Sequence, residues 1–344
     1  MSDASILSVN TGSSSLKVAL FSSDLHDIDR VEVGVPDGDE PGAMATALDR
    51  LERTAGWPPM AVGHRVVHGG PSLFDPVLVD EDVLAELRRS VSFAPVHLPA
   101  AIACIELVHE RLPGVSQVAC FDTAFHRTMP EVAQRFPLPE ELWEQGVRRY
   151  GFHGLSYEYV VGALGAELGE RAVVAHLGGG SSLVALRDGV SVDTTMGFTP
   201  TGGVVMGTRS GDLDPGVIVH LLRAHGFDVD GLEELLDHAS GLRALSGGTS
   251  DMKALLDARD HDARARLAVD VYCDRVGKAI GAFAAVLGGL DTLVFTGGIG
   301  EHSTAIREQT CAGLEFLSAE VRVVPTDEDV VIARHVRQLV DASS

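Results

Sequence analysis

Short apolar runs bounded by turn residues predict strands over Ile6–Val9, Leu16–Phe21, Val62–Val67, Gln117–Phe121, Ala172–Leu177, Ser182–Leu186 and Leu293–Thr296. Apolar positions spaced three and four apart predict helices over Met44–Thr54, Asp80–Val91, Leu98–Arg111, Pro215–His225, Leu232–His238, Ala263–Leu287 and Ser303–Gly313. Strands and helices alternate throughout, which points to an α/β protein. The most apolar stretch, Ala279–Gly300, is broken by Asp291 and several glycines. It reads as a buried helix followed by a strand over Thr292–Thr296, and not as a membrane span.

The first two strands enclose a polar turn, in SILSVNTGSSSLKVALF at 5–21. Such a turn offers backbone N–H groups, hydroxyls and the Lys17 ammonium to an anion. Ordinary Asn-Gly-Ser turn chemistry is the other reading. GSSSLKVALFSSD (12–24) resembles GGSSLVALRDG (179–189), and each lies between two apolar runs. That similarity suggests a duplicated architecture with one such hairpin in each half. A third glycine turn, FTGGIGEHS (295–303), follows a strand and opens a helix.

At 344 residues the chain has the length of about two domains. Its net charge of −22 argues against nucleic acid or an anionic membrane as partner. Any phosphate site must therefore concentrate its cations locally. The four cysteines are scattered, without a Cys-x-x-Cys pair, and read as buried thiols in a reducing compartment. The chain enters its first strand without a basic region and apolar stretch, so the expectation is no signal peptide and a cytoplasmic location.

Polar clusters then mark candidate chemistry. GHRVVHGGP (63–71) places Arg65 beside Val66 and Val67, as a planar clamp for an anion or as a surface residue ending a strand. In VACFDTAFH (118–126), Asp122 ends a buried strand, where a carboxylate needs a cation or an arginine. His97, in APVHLP, reads as a capping or packing residue before the helix at Leu98. His153 lies in a glycine-bounded turn, RRYGFHGLS. The glycine-rich segment 196–216 holds Pro200 and Arg209, which fits an anion clamp. Asp212 and Asp214 at its end are expected to cap the helix after Pro215.

In order, VNTGSSSLK, GHRVVHGG, APVHLP, FDTAFH, RYGFHG, HLGGGSS, GFTP…MGTRSGDLDP, SDMK, FTGGIGE and TDEDVVIAR resemble the motifs of the acetate kinase family. The resemblance implies a duplicated ribonuclease-H-like (actin/Hsp70-type) two-domain α/β fold with an active-site cleft between the domains. One domain would hold residues 1–125 plus 329–344 and the acyl side, the other residues 126–328 and the nucleotide. It also implies transfer of phosphoryl from ATP to acetate or propionate, giving ADP and the acyl phosphate. Mg²⁺, or Mn²⁺ in its stead, would serve as cofactor in a cytoplasmic homodimer.

Residue by residue, the resemblance gives Asn10 and Glu328 to the metal, and Ser13, Ser15 and Lys17 to the first phosphate hairpin. Arg65 becomes the substrate arginine and Asp122 the catalytic aspartate, with a role we favour as electrostatic. His153 and Arg209 match the groups that stabilise the transferring phosphoryl. His176, Leu177, Gly178, Gly179 and Gly180 match one nucleotide turn. Asp251, Met252 and Lys253 match a second, and Gly298, Ile299, Gly300, Glu301 and His302 a third. Val67, Val96, Phe152 and Pro200 match the pocket around the acyl methyl.

The chain departs from the family at several of these positions. Gly179 and His302 stand where asparagine is usual, Lys253 where arginine is, and Thr201–Gly202 where Leu-Glu follows the proline. The triple glycine at 178–180 resembles butyrate kinases. Val96 is smaller than the usual leucine, which would suit propionate. The stretch between Lys17 and Arg65 is also shorter than usual.

Overall fold

Strand pairing repeats itself along the chain. In the computed structural model, which describes residues 4–12, 15–35, 39–95 and 97–343, one sheet contains β1 (Ser5–Thr11), β2 (Ser15–Ser22), β3 (Asp27–Gly34), β4 (Ala61–Val66), β5 (Val77–Leu78) and β6 (Ser116–Phe121). A second contains β7 (Arg171–Leu177), β8 (Ser181–Arg187), β9 (Val190–Thr194), β10 (Thr292–Thr296) and β11 (Glu320–Val323). The first sheet runs β3-β2-β1-β4-β6-β5 and the second β9-β8-β7-β10-β11. In each, three antiparallel strands are followed by two that run parallel to the first. The duplication read from two serine turns is therefore a duplication of whole sheets. The fold is the duplicated ribonuclease-H-like α/β fold that the sequence implies.

The central strands β1, β4, β7 and β10 are buried along nearly their whole length, as their continuous apolar runs require. The strands missing from the sequence reading are β3, β5, β9 and β11. All four are edge strands, and β3 alternates charged and apolar residues in DIDRVEVG. Edge strands need only half an apolar face, so their signal is weak.

Two compact units result: Met1–Arg127 with Gly154–Tyr159 and Asp327–Ser344, and Thr128–His153 with Val160–Thr326, in each case for their described residues. Gly154–Tyr159, which the sequence reading places with the second domain, packs with the first unit. The Gly154 N–H donates to the Asp122 carbonyl at 2.9 Å. A Cβ at 154 would lie 2.1 Å from that oxygen, so only glycine permits the approach.

In the first unit the helix Glu328–Ser343 lies across β1, β4 and β6. Its Val331, Ile332, Ala333 and Val336 pack with Ile6, Ala61, Val118 and Cys120. In the second unit the helix Ala263–Leu287 begins at the Asp262 cap and stops at Gly288, whose φ is 75°. Its buried stripe, from Ala265 to Leu287, covers β7 and β8. Among the described residues no helix is long and apolar enough to cross a membrane.

Candidate functional site

Three parallel strands of the first unit end together, and each delivers one polar residue: Asn10 on β1, Arg65 on β4 and Asp122 after β6. The carboxyl ends of parallel strands are where ligands of such sheets gather. Asp122 is fully buried, and its partner is Arg65. The guanidinium donates through Nε to both Asp122 oxygens, at 3.0 and 3.1 Å, and through Nη2 to Oδ2 at 2.6 Å. Nη1 donates to Asn10 Oδ1 and to the Thr11 carbonyl, both at 3.3 Å. Burial alone would lower the Arg65 pKa, but Asp122 and then Glu328 outweigh it and raise it. Arg65 is thus a fixed positive charge, and the surface-residue reading falls away.

Glu328 opens the last helix and completes this cluster. Its Oε2 accepts from Asn10 Nδ2 at 2.9 Å and lies 3.7 Å from Arg65 Nε, and its Oε1 accepts from Ser156 Oγ. Asp329, the next residue, is held by Ser8 Oγ at 2.7 Å, and burial pushes its carboxyl up to about 6. Ser8 and Ser156 escaped the sequence reading. Each is a lone hydroxyl within an apolar or glycine-bounded segment, with no pattern to mark it.

Ser13 lies outside the described residues, as does Val96 of the acyl pocket. Ser15 Oγ donates to Glu32 at 2.8 Å, and Lys17 is exposed opposite Asn10. Val67, also assigned to the acyl pocket, is buried at 7% exposure.

In the second unit His153 and His176 stack, with ring centroids 4.4 Å apart and planes 30° from parallel. His153 has a φ of 60° and sits at the start of the helix Gly154–Leu164. Its Nδ1 pairs with Ser182 Oγ at 2.9 Å. A Cβ built on Gly180 would stand 3.4 Å from His153 Nε2 and 3.5 Å from Arg209 Nη1. The last glycine of the turn thus lies beside both cation-forming groups. A Cβ at Gly179 would meet nothing within 4 Å.

The irregular segment that presents Pro200 and Arg209 is held at several points. Gly207 N–H donates to the Gly179 carbonyl at 3.0 Å, and Arg209 Nη1 to the Pro200 carbonyl at 3.5 Å. Thr201 Oγ1 donates to Asp237, and Asp212 Oδ1 accepts from Gly203 N–H at 2.7 Å. Asp212 therefore closes this loop and does not cap a helix. Asp214 alone caps Pro215–Ala224, through Gly216. His97 stands at the cap position of Leu98–Arg111 without a side-chain cap bond.

The remaining nucleotide turns are partly structural. Asp251 caps the helix Met252–Ala258 by accepting from Lys253 N–H at 3.0 Å. Met252 and Leu177 are core side chains, so only their backbone can meet a ligand. Gly298 and Ile299 belong to a short helix, Gly297–His302, with Gly298 exposed. Glu301 accepts from Gly297 and Thr326 N–H, and His302 Nδ1 pairs with the Gly298 carbonyl. A cavity of about 560 Å³ in this unit, lined among others by Val204, Leu245 and Arg275, contains none of these residues.

Among the described residues no group of three or more His, Cys, Asp or Glu forms a metal cage. Mg²⁺ does not need one, since it takes one or two protein oxygens and leaves the rest to water and phosphate. Asn10 and Glu328 would supply an amide oxygen and a carboxylate; here Asn10 Oδ1 accepts from Arg65 Nη1 while its Nδ2 donates to Glu328.

A fold built twice from one strand order, with Arg65 and Asp122 at the strand ends of one sheet and, in the other unit, His153 and Arg209 beside Gly180, defines a phosphotransferase of the duplicated ribonuclease-H-like class. Residues 36–324 match the model of the Acetokinase family. An acetate kinase of Rhodopseudomonas palustris is 45% identical over 345 residues, covering 91% of this chain and 85% of its own. A propionate kinase structure from Francisella tularensis superposes with a TM-score of 0.90 at 32% identity, over 97% of this chain and 99% of that one. The Porphyromonas gingivalis acetate kinase structure gives 0.86 at 34% identity, over 98% and 100%. The chain belongs to the Acetokinase family, phosphotransferases that use a carboxyl group as acceptor.

Proposed function

We propose that this chain transfers a phosphoryl group reversibly between ATP and acetate, with acetyl phosphate and ADP as products and propionate as a second acceptor. The observation that carries the reading is the Arg65–Asp122 pair at the ends of β4 and β6. A guanidinium already oriented by a buried carboxylate can clamp the oxygens of a small acid or of its phosphate. Acetate is ionised at neutral pH and needs no base to become a nucleophile. Asp122 therefore acts through Arg65, by holding its fork.

Arg209 and His153 border Gly180 and would neutralise charge on the transferring phosphoryl, the main task in this chemistry. The backbone of Gly178, Gly179 and Gly180 and the Lys17 ammonium would bind nucleotide phosphate. The turns at 251–253 and 298–302 would border the nucleoside. Asn10 and Glu328 would hold Mg²⁺, which when bound offsets phosphate charge. Val67, Phe152 and Pro200 would line the acyl methyl site.

The chain would act as a homodimer. Leu213 and Val217, Val219 and Leu222 of the helix Pro215–Ala224 are exposed, and that helix buries no residue. Such an apolar face suits a second copy.

Trapping the acyl phosphate as its hydroxamate tests the activity, with acetate, propionate and butyrate as acceptors and ATP and pyrophosphate as donors. Product from acetate with ATP supports the reading. No product from any pairing overturns it. A preference for butyrate would move the chain to the butyrate-type kinases suggested by Gly178–Gly180.

A further inference from the structure

We propose that Ser182 is a positioning residue that fixes the orientation of His153, so that Nε2 faces the Gly178–Gly180 turn. The inference rests on His153 meeting the phosphoryl group, as read above. His153 itself lies in a strained place. Its φ of 60° puts a non-glycine residue in the left-handed region, where its side chain needs outside support.

Two contacts supply that support. Ser182, fully buried on β8, meets Nδ1 at 2.9 Å, and the His176 ring stacks against the imidazole face. His176 and Ser182 are register partners on β7 and β8, so one rung of the second hairpin grips the ring from two sides. The neighbouring Ser181 is used differently. Its hydroxyl meets Tyr272 Oη at 2.9 Å and the Gly178 backbone. The paired serines of this hairpin thus divide their labour, one to the core and one to His153.

The chemistry follows from which nitrogen carries the proton. When Ser182 O–H donates to Nδ1, neutral His153 keeps its proton on Nε2, beside Gly180 and near Arg209 Nη1. When the ring is doubly protonated, Nδ1–H donates to Ser182 and Nε2–H still faces the turn. In both of these states the nitrogen that meets an anion is a donor, whereas a neutral ring protonated on Nδ1 would donate to the same hydroxyl and leave Nε2 a lone pair. Without the hydroxyl Nδ1 loses a partner in every protonation state, and the ring loses a contact that aims Nε2 at the turn.

The test combines Ser182→Ala, Ser182→Thr and His153→Asn with ¹⁵N spectra of labelled histidine. Ser182→Ala is expected to lower kcat by about tenfold or more, the usual scale for removing an orienting partner. KM for ATP and acetate should change little, and thermal stability should be retained. Its His153 ¹⁵N spectrum and its pH–rate profile should both change, while Ser182→Thr restores both. Wild-type kcat and an unchanged His153 spectrum in Ser182→Ala, beside an inactive His153→Asn, would overturn the proposal alone. Full activity in His153→Asn would instead remove the phosphoryl role of His153, and the ¹⁵N spectrum would still decide what Ser182 does.

Discussion

Asp122 takes both Nε and Nη2 of Arg65, so one buried carboxylate holds two edges of a guanidinium at the end of the sheet. Asp122→Asn preserves the shape but not the charge. It is expected to cost at least about 2 kcal/mol, roughly 30-fold in kcat/KM. The pH profile of kcat/KM should keep its wild-type shape, because acetate has no proton to lose. A limb present in the wild type and missing in the variant would instead make Asp122 a proton carrier. Arg65→Lys should lose comparable activity, since an ammonium cannot span the same oxygens.

Gly179 stands where the resemblance leads one to expect asparagine, and a Cβ there would meet nothing within 4 Å. Gly179→Asn should therefore fold normally and add one hydrogen bond to phosphate. A bond of that kind contributes about 1 kcal/mol, so KM for ATP should fall about fivefold. An unchanged or higher KM would mean that the turn binds phosphate through its backbone alone.

His64 is buried on β4, its Nε2 paired with Gln117 at 2.7 Å and its Nδ1 without a partner. Burial lowers its pKa from 6.5 to about 4, and the Gln117 bond offsets this only in part. Between these values the unfolded chain binds a proton that the folded chain refuses, so stability falls as pH drops from 6.5 towards 4. The full loss is about 3 kcal/mol, and His64→Gln should flatten this part of a urea-denaturation series against pH.

Gly63 lies under the last helix. A Cβ there would sit 2.4 Å from Ile332 Cγ2 and 2.6 Å from Val336 Cγ2. Gly63→Ala should destabilise the protein by about 1–3 kcal/mol by overpacking. Because that helix opens with Glu328, the displacement should also raise the Mg²⁺ concentration needed for half-maximal activity. Normal Mg²⁺ dependence in a destabilised variant would separate the helix's packing from its role at the cluster.

The charge of −22 repels itself across the surface. Raising NaCl from about 0.1 M to 1 M shortens the screening length from about 10 Å to 3 Å. The melting temperature should therefore rise with salt, whereas a protein held by surface ion pairs would lose stability.

The central strands and the long helices were legible because each buries an apolar run or stripe along its own length. Arg65, Asp122 and Arg209 were legible because charges beside such runs are conspicuous. Ser8, Ser156 and Ser182 were not. A hydroxyl is cheap to place anywhere, and these three matter only through partners that lie far away in sequence or on another strand.

The sequence by itself determined the alternation of strand and helix, the duplicated hairpins and the family. Those are properties of local pattern, of apolar period and turn chemistry repeated in order. Only the tertiary structure decided that Arg65 is held by Asp122, that Glu328 meets Asn10 across 318 residues, and that Ser182 meets His153. Burial makes each of these polar groups find a partner, and which partner it finds depends on which strands lie side by side.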